Sequence, residues 1–194
     1  MKIVGIGGTN GSGKDTVGQT LAERHNWLFV SISDILRDEL NHRGQPIERK
    51  NLRHLSAEWR RELGLGALID KALEAFRRQE ELHNLGGLAI ASLRNYGEAD
   101  RVHELGGKVI WVDADPEVRY KRISARVRSD EDRKTYEEFL KDEQAEMQHF
   151  EGDKATLNLQ GVKERTDIVI ENSGSDIEAF KDEAEKALKS VLSS

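Results

Sequence analysis

Short apolar runs alternate with longer amphipathic stretches along the whole chain. Each apolar run has the length of a buried strand, and the runs lie at Lys2–Gly7, Trp27–Val30, Gly87–Ala91, Lys108–Asp113 and Asp167–Glu171. The stretches between them have apolar residues at helical spacing and predict helices over 13–26, 33–43, 48–63, 66–82, 95–105, 115–128, 133–149 and 175–192. Because alternating strands and helices are joined by crossover connections, the pattern predicts an α/β fold with a five-stranded parallel sheet and helices on both faces.

Two stretches are longer than a simple crossover connection requires. Two successive helices are predicted between the second and third strands, and the charged stretch 128–165 contains no predicted strand. We therefore expect one domain over 1–194, with a core made of 1–32, 86–127 and 166–194. A helical acceptor-binding insert is expected over 33–85 and a lid over 128–165.

The composition excludes some classes of protein. The 194 residues include 30 Lys and Arg against 36 Asp and Glu, a net charge of −6, so we expect no nucleic-acid or membrane partner. The chain has no cysteine, which excludes a disulfide framework, a Cys-ligated zinc and a thiol nucleophile. It has no run of eighteen apolar residues and no signal-peptide pattern, so we expect a cytoplasmic protein. The oligomeric state, monomer or homodimer, stays open.

The clearest chemical signal is a glycine-rich turn directly after the first predicted strand. Gly8-Thr9-Asn10-Gly11-Ser12-Gly13-Lys14 matches the G-x-x-x-x-G-K phosphate loop and opens the first predicted helix. Its backbone N–H groups and the helix N-terminus are suited to cradle a triphosphate, while Lys14 reaches the β- and γ-phosphates. We therefore expect ATP to be bound by Gly8, Asn10, Gly11, Ser12, Gly13, Lys14, Asp15 and Thr16.

The residue after Lys14 departs from the usual motif, because it is Asp15 rather than Ser or Thr. In the usual motif a hydroxyl at this position binds Mg²⁺ directly. Either Asp15 holds the ion through water, or Thr16 supplies the hydroxyl one residue later. These two residues are the candidate Mg²⁺ ligands.

Four further segments carry a resemblance to a known family. They are Ser31–Arg37, Arg53–Gly64, Leu88–Ala99 and Glu117–Asp130. Together with the glycine-rich loop they resemble P-loop kinases of the nucleoside monophosphate kinase type, over nearly the whole chain. The nearest branches are adenylate kinase, the deoxynucleoside monophosphate kinases and the dephospho-CoA-kinase-like proteins. The resemblance implies a P-loop NTPase fold and an ATP- and Mg²⁺-dependent phosphotransferase that acts on a small nucleotide.

The resemblance implies that three arginines bind the phosphate of the acceptor. Arg37, with Asp34 beside it, lies in a segment that resembles the acceptor segment of adenylate kinase. Arg53 lies in a stretch similar to the acceptor-side helix of deoxynucleoside monophosphate kinases, and Arg60 follows it by two turns on the same face. Arg94 follows the third predicted strand, whose end faces the site in an open parallel sheet.

One acidic residue of the family pattern is absent. In the family it stands just before the strand-end arginine and helps to hold Mg²⁺, whereas here Ala91 and Ser92 occupy that part of the strand. Either another carboxylate substitutes for it or the activity is weak. The candidates are Asp15, Asp34 and Asp113.

The fourth segment resembles the lid of these kinases. Arg119, Arg122 and Arg126 repeat on one helical face, in a stretch 119–134 with seven basic and three acidic residues. The resemblance implies that Arg122 and Arg126 are catalytic residues that neutralise charge on the γ-phosphate, and that Arg122 also contacts ATP. The alternative is a basic helix that pairs with the acidic helix Glu137–Glu146.

We therefore expect transfer of the γ-phosphate of ATP to a phosphorylated acceptor, with a nucleoside monophosphate as the leading candidate. The first alternative is a hydroxyl-directed kinase of the dephospho-CoA type with Asp34 as catalytic base, because an alcohol needs a base and a phosphate does not. The second alternative is a nucleotide-binding module without transfer activity. It is kept open by the missing hydroxyl after Lys14 and the missing carboxylate before Arg94.

Overall fold

The computed structural model of the protein describes residues 1–126, 134–147 and 152–193, without the side chains at 81, 82 and 126. The strands are β1 (Ile3–Gly8), β2 (Leu28–Ser31), β3 (Leu88–Leu93), β4 (Lys108–Asp113) and β5 (Ile168–Glu171). The helices are α1 (Lys14–His25), α2 (Ile32–His42), α3 (Arg49–Leu63), α4 (Ala67–His83), α5 (Tyr96–Glu104), α6 (Pro116–Arg126), α7 (Tyr136–Met147), α8 (Leu159–Lys163), α9 (Ile177–Ala187) and α10 (Lys189–Ser193).

The sheet is parallel throughout, with the strand order β2-β3-β1-β4-β5. The central strand β1 is buried at every position, and such a strand reads as a continuous apolar run because both of its faces are covered. The glycine-rich turn follows the carboxyl end of β1 and therefore lies between the ends of β3 and β4. The predicted α/β fold and five-stranded parallel sheet are confirmed.

Helices cover both faces of the sheet, as predicted. On one face, α1 and α9 pack on the strands through a cluster that includes Val17, Leu21 and Phe180. On the other face, α3 and α4 contribute Trp59 and Phe76 to a larger cluster that also contains buried residues of β3 and β4. The helices of the predicted insert therefore share a hydrophobic core with the sheet. The division into core, insert and lid stays a prediction.

The start of α6 fixes how this helix approaches the loop. The carboxylate of Asp115 accepts a hydrogen bond from the backbone N–H of Glu117 at 2.8 Å, and Pro116 occupies the first helical position. The predicted helices 115–128 and 133–149 end partly outside the described residues. Within the described ranges, no helix is long and apolar enough to cross a membrane.

Candidate functional site

The glycine-rich loop is held between α6 and the turn that follows β5. Gly13 has a φ of 96°, and a Cβ at this position would lie 2.3 Å from Nδ2 of Asn172. Gly11 has a φ of 80°, and its Cβ would lie 2.8 Å from the carbonyl oxygen of Arg119. Only glycine fits both the backbone conformation and the space at these two positions. The spacing of the motif is therefore explained by local packing as well as by room for phosphates.

A cleft of about 530 Å³ opens at the carboxyl ends of β1, β2 and β3, and this volume is typical of small-molecule sites. Most of the residues predicted to form the site line it. These are Asn10, Gly11, Gly13, Lys14, Asp15, Thr16, Asp34, Arg37, Arg94 and Arg122. Gly8 and Ser12 lie beneath the cleft surface, because Gly8 ends the buried strand β1 and the side chain of Ser12 is fully buried.

Arg122 spans the loop and the turn after β5. Its guanidinium donates to the carbonyl oxygens of Gly174 at 2.6 Å and Gly11 at 3.3 Å, and to Oδ1 of Asn172 at 3.3 Å. Asn172 in turn donates to the carbonyl oxygen of Ser12 at 2.8 Å. Burial lowers the pKa of Arg122 from its ordinary value, but a guanidinium remains protonated in proteins. The positive charge is thus positioned by neutral oxygens at the rim of the cleft.

The start of α1 has donor groups that suit Mg²⁺. Oδ1 of Asp15 is buried and has no hydrogen-bond partner among the described residues, and Asp15 and Thr16 both line the cleft beside Lys14. Carboxylate and hydroxyl oxygens are the hard ligands that Mg²⁺ prefers, and in nucleotide sites water and phosphate oxygens complete the octahedron. The residues present therefore fit the ion. Among the described residues no cluster of three or more His, Asp or Glu offers another metal site.

A buried carboxylate joins two of the three predicted acceptor arginines. Arg94 donates to Oε2 of Glu146 at 2.6 Å, and Arg53 donates to Oε1 of the same residue at 2.7 Å. Arg94 also donates to Oδ1 of Asn10 in the loop at 2.9 Å, while its own backbone N–H is held by Glu98 at 2.7 Å. The end of β3, the loop, α3 and α7 therefore meet at one group of charges.

The Glu146 carboxylate is held in its charged form. Burial by itself raises the pKa of Glu146, but the positive charges of Arg94 and Arg53 and their hydrogen bonds lower it to about 2. Glu146 is only 5% exposed. Sequence reasoning missed this role, although α7 does place Asp142 and Glu143 one turn before Glu146 on the same helical side.

Arg37 and Asp34 lie together on α2, beside the cleft. Arg37 donates to Oδ1 of Asp34 at 2.5 Å, an i,i+3 pair on α2 in which both side chains are well exposed. Both residues line the cleft, as predicted. The carboxylate that would serve as a base for an alcohol acceptor is therefore engaged with the neighbouring guanidinium.

Two arginines have partners outside the cleft. Arg60 forms a fully buried ion pair with Glu98 and donates to the carbonyl oxygen of Ala155 at 3.0 Å, so it does not converge with Arg53 on one anion. Arg119 is buried and donates to both carboxylate oxygens of Glu143 on α7. The alternative in which the basic helix pairs with the acidic helix therefore holds for Arg119 and not for Arg122.

Asp113 and Arg126 are two further residues that were predicted to take part in the site. Asp113, a candidate substitute for the missing acid, lies at the end of β4 and binds the indole N–H of Trp111 and the ammonium of Lys163, each at 3.3 Å. It lines a separate cleft, so Asp15 and Asp34 are the remaining candidates. The side chain of Arg126 lies outside the described residues, so its predicted catalytic role stays a prediction.

Ser92 is a cleft residue that sequence reasoning did not assign. It is buried, it lines the cleft close to Arg94, and its φ of 72° is unusual for a residue with a side chain. The pairing of β1 with β3 is irregular at the same place, between Ile6 and Gly7. The strand end is thus bent where the family pattern has its acidic residue.

Comparison with known proteins adds the family and the fold. The model of the AAA domain family matches residues 4–151. A UPF0200 protein of Pyrobaculum aerophilum is 28% identical over 190 residues, and the match covers 97% of each chain. A shikimate kinase of Acinetobacter baumannii has a TM-score of 0.53 at 18% identity and covers 99% of this chain and 93% of its own. A gluconokinase of Sinorhizobium meliloti has a TM-score of 0.53 at 14% identity, covering 99% and 94%. The predicted resemblance to P-loop kinases is confirmed, and the fold is theirs.

Proposed function

This chain belongs to the AAA domain family, and on that premise we propose that it is an ATP- and Mg²⁺-dependent phosphotransferase. Its proposed acceptor is a small phosphorylated molecule, with a nucleoside monophosphate as the leading candidate. One observation carries the proposal: Arg37 and Arg94 line the same cleft as Lys14. A site that only bound ATP has no need of two cations beyond its own loop and Arg122.

The donor half of the cleft supplies the groups that phosphoryl transfer requires. The loop and Lys14 would hold the phosphates of ATP, and Asp15 and Thr16 would hold Mg²⁺, which supplies positive charge beside the β- and γ-phosphates when bound. Arg122 is placed by backbone oxygens at the edge of the loop. Because such transfer depends on positioning and electrostatic stabilisation, no covalent intermediate on the protein is required.

The acceptor half favours an acceptor that is already charged. A phosphate has its second pKa near 6, so it is a nucleophile at neutral pH without a general base. The guanidinium groups of Arg37 and Arg94 match phosphate oxygens in geometry and charge. We propose that the protein acts on such nucleotides in the cytoplasm, without nucleic-acid or membrane partners, in keeping with its net charge of −6.

A hydroxyl-directed kinase is the second candidate. It is favoured by the position of Asp34 in the cleft and by structural neighbours that carry the names shikimate kinase and gluconokinase. This candidate requires the Asp34 carboxylate to leave Arg37 and accept the proton of an alcohol. The two candidates differ in what the loss of that carboxylate does to turnover.

The test is ADP release from ATP and Mg²⁺ with single acceptors. AMP, GMP, CMP, UMP, their deoxy forms and dephospho-CoA are each added to the purified protein. We expect one monophosphate to raise ADP release well above the rate without acceptor, and we expect Lys14→Ala to lower that rate by about 100-fold or more. Lys108→Ala is the matched control, because Lys108 is exposed at the other end of the sheet and pairs with Asp167.

Three results would contradict the proposal, and each points to a different conclusion. A flat acceptor panel, together with ATP binding that Lys14→Ala abolishes, would identify a nucleotide-binding module. Acceptor-dependent ADP release that is equal in the wild type and in Lys14→Ala would refute the placement of ATP on the loop. Stimulation by dephospho-CoA alone would select the hydroxyl-directed candidate.

A further inference from the structure

The cluster of Arg53, Arg94 and Glu146 has the arrangement of an occupied anion site. Two guanidinium groups, one from α3 and one from the end of β3, each donate to a different oxygen of a single carboxylate. Two or more arginine groups that converge on one anion are how proteins commonly bind phosphate. Here the anion is a side chain of the protein itself.

The chain segments that carry the two arginines are anchored independently of Glu146. The backbone of Arg94 is held by Glu98, and its side chain has a second acceptor in Asn10 of the phosphate loop. Arg53 belongs to α3, which is anchored in the core through Leu55 and Trp59. Removal of the carboxylate would therefore leave Arg94 in place beside the loop, with Arg53 on an anchored helix next to it.

The helix that carries Glu146 is held by ion pairs and by a few apolar contacts. Phe139 is buried and packs with Tyr120 and Tyr136, and Met147 is partly buried against the larger cluster. The remaining attachments include ion pairs of Glu143 with Arg119 and of Asp142 with Lys134, besides the pairs of Glu146. A buried ion pair is costly to break when it leaves an uncompensated charge, so Glu146 can leave the two arginines only if another anion takes its place.

We infer that Glu146 occupies the acceptor-anion site of the empty enzyme and that the acceptor must displace it. The inference rests on the proposed function and narrows its substrate class to molecules with an anionic group that competes with a carboxylate for Arg53 and Arg94. A phosphate dianion carries more charge and more acceptor oxygens than a carboxylate, so it is suited to displace one. Binding of the acceptor and release of the Glu146 carboxylate are then a single exchange of anions.

The decisive experiment measures the affinity for inorganic phosphate in four proteins: the wild type, Glu146→Gln, Arg94→Gln and the double variant. Phosphate also binds the loop, and the single variant Arg94→Gln measures how far that contribution changes when the bond to Asn10 is lost. Displacement predicts that Glu146→Gln binds phosphate about tenfold more tightly than the wild type, because the competing state is removed. The gain should vanish when Arg94 is also replaced.

Glu143→Gln is the matched control. It removes a carboxylate from the same helix and breaks the pair with Arg119, but it leaves Arg53 and Arg94 bound to Glu146. If loosening of α7 were enough to expose the site, this variant would gain affinity as well. We expect its phosphate affinity to stay within about twofold of the wild type.

If Glu146 supports the site instead of blocking it, the change in phosphate affinity has the opposite sign. If Glu146 is a permanent support that orients the two arginines, Glu146→Gln will bind phosphate more weakly than the wild type, and the inference is overturned. Hydrogen exchange on the wild-type protein provides a measurement that does not depend on the variant folding. Saturating phosphate should speed the exchange of backbone amides in α7 and slow it at the start of α1, whereas unchanged or slower exchange in α7 contradicts displacement.

Failure of this inference can be told apart from failure of the proposed function. If ATP binds, a monophosphate is phosphorylated and Glu146→Gln gains no phosphate affinity, only the role of Glu146 is wrong. If the phosphate cycle behaves as expected but Lys14→Ala does not affect ATP binding, the anion site stands and the phosphotransferase proposal fails.

Discussion

The side of the site that we propose for ATP (the donor side) and the side that we propose for the acceptor hold their arginines in different ways. On the donor side, Arg122 is bound by two backbone carbonyl oxygens and an amide oxygen, and among the described residues it has no carboxylate partner. On the acceptor side, Arg37 is paired with Asp34, and Arg94 shares Glu146 with Arg53. The described partners of Arg122 are thus neutral, whereas the arginines of the acceptor half are already paired with carboxylates.

This difference predicts that the donor side binds its ligand without rearrangement, whereas the arginines of the acceptor side must first exchange their carboxylate partners. Neutral oxygens orient a guanidinium without competing for the phosphate, so Arg122 needs no rearrangement when a nucleotide arrives. A carboxylate partner has to leave, or to be satisfied elsewhere, before the same guanidinium can bind another anion. We therefore expect substitutions on the donor side to change the rate of transfer and substitutions on the acceptor side to change acceptor affinity.

The largest effect is expected from Arg122→Gln. The amide keeps some hydrogen-bonding capacity toward Gly174 and Asn172 but removes the charge that, in the proposed reaction, stabilises the transferred phosphoryl group. Loss of one such stabilising group lowers kcat by about 100- to 1,000-fold. Steady-state kinetics of ADP release with the active monophosphate measures this, and the KM for the acceptor should change far less than kcat.

Arg101→Gln is the control for the loss of an arginine as such. Arg101 pairs with Asp70 and Glu104 on the surface, and it is not part of the cleft lining. Its kcat should match that of the wild type. A kcat for Arg122→Gln within threefold of the wild type would mean that the donor half does not depend on this cation.

The next effect concerns acid stability and tests the acceptor side. The pKa of Glu146 is about 2 in the folded protein against an ordinary 4.5, so its stabilising contribution is complete above pH 4.5 and is lost as the pH falls toward 2. The shift corresponds to about 3 kcal/mol in total at 1.36 kcal/mol per pKa unit. Urea unfolding at pH 7, 4.5 and 3 measures the free energy of unfolding of both proteins. The excess stability of the wild type over Glu146→Gln should decrease as the pH falls below 4.5.

Glu185→Gln tests whether any paired carboxylate behaves in this way. Arg24 and His25 lower the pKa of Glu185, but the pair is open to solvent, and water screens it. We expect a much smaller change with pH for this variant. A difference between wild type and Glu146→Gln that is constant from pH 7 to pH 3 would show that Glu146 is not held as a charged group between the two arginines.

The fold was predictable because its signals are local. The strands are short apolar runs, and β4 begins and ends at the predicted residues. The short helix α8 was not predicted, since its five residues are too few to show helical periodicity. The predicted helix 175–192 is instead divided between α9 and α10 at Leu188, where no glycine or proline marks a boundary.

The site was predictable only in part, for the same reason. The loop is a continuous motif, so its residues and its place at the end of β1 followed from the sequence. The partners of the arginines did not, because Arg53 and Glu146 are 93 residues apart and each lies on a charged helix that is compatible with simple solvation. Arg60 is an example of this ambiguity. It shares a helical face with Arg53 in the sequence, yet in the structure it forms a buried ion pair with Glu98.

The smallest effect is expected from Asp34→Asn, which separates the two candidate acceptors. The pair of Asp34 with Arg37 is exposed, so its loss should change the free energy of unfolding by less than about 1 kcal/mol. For a phosphate acceptor the variant frees Arg37 from a competing anion, and we expect kcat to stay within about threefold while the acceptor KM falls slightly. Asp38→Asn, next to Arg37 on α2 but absent from the cleft lining, is the matched control.

For an alcohol acceptor Asp34 would be the general base, and its loss would lower kcat by about 100-fold or more. A loss of that size in Asp34→Asn alone would therefore show that the acceptor half deprotonates a hydroxyl instead of binding a preformed anion.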